Sequence, residues 1–80
     1  MAKNFNFKKF LQTIGTNLKA ERTKKDLSIT TVAKAVKTSS HTLRRIENGE
    51  HNMRLELLER LCLFYKVSPG DIAREKSDPG

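Results

Sequence analysis

The sequence predicts an all-α domain of five helices. Three observations carry that expectation. Apolar residues recur at three- and four-residue intervals along most of the 80 residues. Capping residues stand before the periodic runs, as at Ser28, Ser39 and Ser68. The connections between runs are short, which makes consecutive helices neighbours in space. Only Asn4-Phe5-Asn6-Phe7 alternates in the manner of a strand, and it is the competing reading for the start of the chain.

Phe7, Phe10, Leu11, Ile14 and Leu18 fall at i, i+3, i+4, i+7 and i+11, one stripe of a helix. That helix is expected from about Phe7 to Lys25, capped by Asn4 or Asn6. Gly15 is expected inside it at a cost of about 1 kcal/mol. Lys24, Lys25 and Asp26 make an exposed turn.

Ser28 caps a second helix from Ile29 to Val36, with Leu27 placed to pack on Val32 as a hydrophobic staple. The β-branched run Ile29 to Val32 is poor in an isolated helix, so packing through Val32, Ala33 and Val36 has to hold it. Ser39 caps a third helix, Ser40 to Glu47, burying Leu43 and Ile46 and ending at Asn48-Gly49, with Gly49 suited to a left-handed position. A fourth runs from Arg54 to Tyr65 on Leu55, Leu58, Leu61, Cys62 and Tyr65, with Asn52 as its expected cap. Ser68, Pro69 and Asp71 open a short fifth helix with cap, first-position proline and capping-box carboxylate. Residues 77–80 are expected to fray.

Eighty residues make one domain, near the small end of what folds without a staple. The single cysteine, Cys62, allows no intrachain disulfide and reads as a buried small hydrophobe. No segment has the length of a membrane span or the pattern of a signal peptide, and the expected location is the cytoplasm. His41 and His51 are too isolated to suggest a metal. No nucleophile–base arrangement or glycine-rich phosphate loop suggests an enzyme, and no cofactor is implied.

The net charge of +7 points to a polyanionic partner. The excess is uneven. Residues 1–25 set Lys3, Lys8, Lys9, Lys19, Arg22, Lys24 and Lys25 against Glu21 alone. Lys34, Lys37, Arg44 and Arg45 follow, against Asp26 and Glu47, and residues 50–80 are near balance. The third helix concentrates this chemistry: with Leu43 and Ile46 inward, Ser40, His41, Arg44 and Arg45 point out. Such a face has the width and donors needed for the major groove of DNA.

The segment LSITTVAKAVKTSSHTLRRIENGE resembles the helix-turn-helix of the phage Cro and cI-type repressor family. The match is carried by Leu27, Ser28, Val32, Ala33, Ser39, Leu43, Ile46, Glu47, Asn48 and Gly49. It extends upstream through Ile14, Gly15, Leu18 and Arg22, and downstream through Leu55, Leu58, Leu61, Val67 and Ser68. Three positions depart from the family pattern: Ile29 replaces a phosphate-binding Gln, Lys37 a turn Gly, and Met53 a Pro. The resemblance implies a five-helix, lambda-repressor-like DNA-binding domain over residues 14–74. Residues 1–13 extend the first helix and residues 75–80 form a tail.

The resemblance further implies a sequence-specific regulator of transcription that binds double-stranded DNA. Base-reading positions fall on Ser40, His41, Arg44 and Arg45. Arg45 is the expected partner of guanine N7 and O6, while Arg44 is an alternative phosphate contact. Phosphate contacts are expected from Ser28 and Thr30 at the second helix's N-terminus and from Ser39, Thr42 and Asn48. The resemblance does not reach Lys3, Lys8 and Lys9, whose charge suits either an arm along the DNA, with Lys9 on a phosphate, or a solubilising end. An Arg22–Glu47 ion pair is implied between the first and third helices. A homodimer on a near-palindromic site is expected through Ile72, Val67 and Tyr65, with Phe5, Phe7 and Phe10 as the rival interface. The alternative is a protein-interaction module of the same fold, bound to RNA polymerase or to a toxin. A sequence-indifferent single-strand binder is disfavoured, because few aromatics are available for stacking.

Overall fold

The computed structural model describes residues 6–50 and 53–75. Five helices follow in order: α1 (Phe7–Lys24), α2 (Ile29–Ala35), α3 (Ser40–Glu47), α4 (Leu55–Tyr65) and α5 (Pro69–Ala73). No strand occurs among the described residues. Phe7 opens α1, so the strand reading of Asn6-Phe7 gives way to a helix; Asn4 and Phe5 lie outside the described residues.

Side-chain caps start four of the helices. The Asn6 carbonyl oxygen accepts from Lys9 N–H at 3.0 Å, and Ser28 and Ser39 accept from Thr31 and Thr42 N–H at 3.1 and 3.0 Å. Each satisfies a donor that the first helical turn leaves open. At α5 the bonds are reciprocal: Asp71 N–H donates to Ser68 Oγ at 3.0 Å, and Ser68 N–H donates to Asp71 Oδ2 at 2.9 Å. These bonds hold the Asp71 carboxyl below the usual carboxylate range. α4 differs from expectation. It begins at Leu55, preceded by Arg54, which makes no side-chain cap bond. Asn52 lies outside the described residues.

Four helices end in the same way, with one residue in the left-handed region: Asp26, Lys37, Gly49 and Lys66, with φ of 57, 62, 75 and 59°. After each, a backbone N–H reaches back five residues: Leu27 to Arg22, Thr38 to Ala33, Glu50 to Arg45 and Val67 to Cys62, at 2.8–3.1 Å. This is the Schellman closure. Lys37 therefore takes the conformation that the missing glycine would take, at a cost of about 1–2 kcal/mol.

α1 lies against α3, α4 and α5, while α2 packs on α3. Leu18, Val32, Leu43 and Leu61 are wholly buried, joined by Ile14, Ala33, Val36, Ile46, Cys62, Tyr65 and Ile72. Each large aliphatic side chain among them contributes about 1.5–3 kcal/mol. Burial pushes the Cys62 thiol up, as befits an inert core residue. Two members of the predicted stripes lie outside this core: Phe7 is 51% exposed and Leu55 81%. Both are the first residue of their helix, α1 and α4.

Gly15 is more than tolerated. A Cβ there would sit against the Ile46 carbonyl oxygen and 2.7 Å from that of Glu47. The backbones of α1 and the end of α3 approach too closely for any side chain between them. Asn17, two residues on, is buried and donates through Nδ2 to the carbonyls of Ile72 and Arg74, at 2.6 and 2.9 Å. It ties down the end of α5, whose last carbonyls lack helical donors.

Candidate nucleic-acid interface

The geometry of α3 follows from what its inner face buries. Leu43, Ile46 and Glu47 are inside. That leaves His41, Arg44, Arg45 and Asn48 exposed at i, i+3, i+4 and i+7, a single stripe, with Ser40 half-buried beside it. Among the described residues the side chains of Arg44 and Arg45 have no ion-pair or hydrogen-bond partner. Eight residues span about 12 Å, the width of the DNA major groove.

The orientation of α3 is fixed by an ion pair at its end. Arg22 Nε donates to Glu47 Oε2 at 2.8 Å and Nη2 to Oε1 at 3.0 Å, a bidentate fork. Nη1 donates to the Leu27 carbonyl at 2.9 Å, so one guanidinium binds α1, the turn before α2 and α3 together. The Glu47 side chain is 3% exposed and that of Arg22 14%. The bond to Glu47 raises the Arg22 pKa further, so the guanidinium stays charged at any working pH. The Tyr65 hydroxyl lies in the same interior without a hydrogen-bond partner, and burial first, then the Glu47 charge, pushes it up to about 12.

The expected phosphate contacts divide. Ser28, Thr30, Thr42 and Asn48 lie on the α2–α3 unit, exposed or half-buried. The hydroxyls of Ser28 and Ser39 are engaged as caps, and each also donates to a threonine, Thr31 or Thr42, at 2.9 Å. The threonine then keeps its own proton for an outside acceptor. Thr31 is exposed, and sequence reasoning passed over it. Its signal was the repeated Ser-x-x-Thr of Ser28–Thr31 and Ser39–Thr42. Lys9 is placed elsewhere, beside Glu75 at the end of α5 in an exposed ion pair of 3.6 Å. Lys3 lies outside the described residues.

Beyond α3, a groove between α2's closing turn and α4 is lined by Lys37, Thr38, Thr42, Arg54, Glu56, Leu57 and Arg60. It carries more positive than negative charge along the flank of α3.

The expected dimer residues need correction. Tyr65 and Ile72 are each only 2% exposed, packed inside their own chain, and neither can present a surface to a second one. The helical period placed them on the inner stripe, and α1 covers that stripe. Val67 is half-buried. The outer face of α4 instead presents Leu55 and Leu63, 81% and 71% exposed. Phe7 and Phe10, the rival interface, stack on each other with centroids 6.2 Å apart, while Phe5 is outside the described residues.

No helix among the described residues is long and apolar enough to cross a membrane. Antitoxin PezA of Streptococcus pneumoniae is 37% identical over 62 residues, which are 78% of this chain and 39% of PezA. The chain thus spans well under half the length of that relative. The clp gene regulator ClgR from C. glutamicum has the same arrangement, with a TM-score of 0.75 and 25% identity over 80% of this chain and 82% of ClgR. The restriction-modification controller protein C.AhdI from Aeromonas hydrophila is similar, with a TM-score of 0.72 and 26% identity over 78% of this chain and 94% of C.AhdI. The profile of the helix-turn-helix domain family matches residues 13–74, most of the chain. From the helical pair α2–α3 and the extent of that match, the protein belongs to the helix-turn-helix domain family.

Proposed function

We propose that the chain regulates transcription by binding a specific double-stranded DNA site, with α3 lying in the major groove. The observation that carries this reading is the pair Arg44–Arg45, exposed and unpartnered on a helix whose opposite face is locked into the core. Arg45 reads guanine N7 and O6 in bidentate fashion, and His41 and Ser40 meet neighbouring base edges. Arg44, Thr30, Thr31, Thr42 and Asn48 hold phosphates, which set the register without reading sequence. One such helix spans few base pairs. Two copies on a near-palindromic site double the information, with half-sites about 34 Å apart.

Selection of bound duplexes from a random pool tests this reading. The expected result is a short motif containing a guanine, repeated with two-fold symmetry. Affinity should fall steeply with salt as counterions are released. No enriched motif, together with a flat salt plot, would sink the proposal.

A second reading rests on the similarity to PezA, an antitoxin. In it the same fold also holds a protein partner, a toxin or RNA polymerase. Co-purification of a defined partner that survives loss of Arg44 and Arg45 would favour it.

A further inference from the structure

The groove between the turn that closes α2 and the start of α4 holds about 220 Å³ and brings together Lys37, Thr42, Arg54, Glu56 and Arg60. Three cations thus meet one carboxylate. Among the described residues none of these four charged side chains has an ion-pair or hydrogen-bond partner. Two of the cations stand where the local backbone favours another residue. Lys37 follows α2 in the left-handed region, at φ 62°, a conformation that suits glycine. Arg54 occupies the N-cap of α4 and makes no side-chain cap bond. A short acceptor such as Ser or Asp is favoured there, and a cation meets the positive end of the helix dipole. Such local strain persists where a site needs the residue. The φ alone does not mark Lys37, since Asp26 and Lys66 take the same conformation. Its place does, because the two locally disfavoured cations line one groove. Glu56 has a reason within the fold: a carboxylate in the first turn of α4 complements the helix dipole.

We propose that this groove is a track for the DNA backbone, in which Lys37, Arg54 and Arg60 hold phosphates of the strand on the α4 side of α3, beyond the bases that α3 reads. Three observations select a nucleic-acid strand. First, the groove is smaller than the roughly 300 Å³ at which sites for drug-sized ligands begin. Second, Arg54 and Arg60 stand about 9 Å apart along the helix axis. One strand of a duplex advances about 3.4 Å per phosphate, so cations at that spacing follow a strand, whereas a single free phosphate would leave one of them unused. Third, the groove adjoins the outward stripe of α3. Thr42 lines it and directly follows His41 of that stripe. The Thr42 hydroxyl accepts from Ser39 Oγ at 2.9 Å and keeps its own proton for an acceptor in the groove. A phosphate held by Thr42 and the flanking cations therefore sets how α3 enters the major groove, without reading a base. Lys37, Arg54 and Arg60 are positioning residues for the helix that reads.

The inference rests on the DNA-binding proposal for the placement of α3. Binding of the full chain is measured against salt, on a duplex carrying the selected site and on an unrelated duplex of equal length. Each cation removed from the groove should lower the slope of log affinity against log salt by about 0.9 and weaken both duplexes alike. Lys37→Gly, Arg54→Ser and Arg60→Gln should each do so. Lys37→Gly and Arg54→Ser should at the same time raise the melting temperature, because glycine relieves the turn and serine caps α4. A merely structural role would move binding and stability together. Glu56→Gln should tighten both duplexes, since it removes a charge that repels phosphate. Lys66→Gly is the matched control: it removes the same charge and relieves a φ of 59° at the far end of α4, outside the groove. It should raise the melting temperature and leave the slope unchanged. If no motif is selected, the base reading falls, and the slopes on the unrelated duplex still decide the groove. If wild type binds no duplex at low salt, both fall. Slopes of Lys37→Gly and Arg60→Gln equal to wild type overturn the inference and leave the groove to an acidic protein partner. A slope lowered as much by Lys66→Gly also overturns it, since the lysine then acts only through the net charge of the chain.

Discussion

The unit α1–α3 and the unit α4–α5 share one core but differ in how they meet solvent. In the first, the apolar groups apart from Phe7 are buried or half-buried and the surface is basic; its outward helix face carries two arginines with unpaired side chains. In the second, acidic and basic groups balance, and the exposed face of α4 carries leucines. The same difference runs through the internal contacts. α1 and α3 are joined by a buried bidentate ion pair and a glycine-width approach, which fix one orientation. α4 joins the rest mainly by apolar packing through Leu61, Cys62 and Tyr65, which is less directional. A helix that must read a groove to within an ångström needs the first kind of support, since packing alone tolerates small rotations. A helix that presents an apolar face does not.

The largest expected effect breaks the rigid side. Glu47→Ala strands Arg22 in a site where it is 14% exposed, and should cost about 3–5 kcal/mol in denaturant unfolding. Arg45→Ala, on the opposite face of the same helix, should change stability by less than about 0.5 kcal/mol. Equal losses would show that the outward face also serves the fold.

Function should separate in the opposite direction. Arg45→Ala is expected to lower discrimination against a substituted base by about 1–3 kcal/mol, whereas Asn48→Ala weakens specific and unrelated duplexes alike. Competition binding with both duplexes measures the difference. Uniform loss in both variants would remove Arg45 from base reading.

A smaller change sharpens the account of the turn. Lys37→Gly relieves a left-handed φ of 62° and should raise stability by about 0.5–1 kcal/mol, less than the full relief because glycine loses more freedom on folding. A decrease in melting temperature would mean that the lysine side chain holds the turn in another way.

The smallest effect at neutral pH is at Tyr65. Its hydroxyl is buried without a partner, so Tyr65→Phe should be neutral or stabilising by up to about 1 kcal/mol at pH 7. Raising the pH separates the two proteins. The folded-state pKa of about 12 lies above the ordinary 10, so ionisation favours the unfolded chain. Wild-type stability is complete below pH 10 and is lost as pH rises towards 12, whereas the phenylalanine variant lacks this contribution to the slope. Parallel pH profiles would show that the hydroxyl finds a partner in solution.

The sequence by itself determined the five helices, because each carries its own apolar period and four of them a capping Ser or Asn. Ser40 to Glu47 could be bounded to the residue from Ser39, Leu43, Ile46 and Gly49 alone. The outward placement of His41, Arg44 and Arg45 followed from that period. Tertiary structure decided what depends on distances across the chain. Gly15 looked like a tolerated defect until the carbonyls of Ile46 and Glu47, over thirty residues away, came against it. Asn17 carried no local signal, since its partners at Ile72 and Arg74 are contributed by the far end of the fold. Tyr65 and Ile72 were apolar residues in a neutral region and so read as interface, whereas Leu55 and Leu63 are the ones left in water. Periodicity marks a residue as belonging to an apolar stripe. Whether that stripe is covered by the same chain or left for another depends on where the neighbouring helices lie, and α1 reaches the inner side of α4 but not the outer.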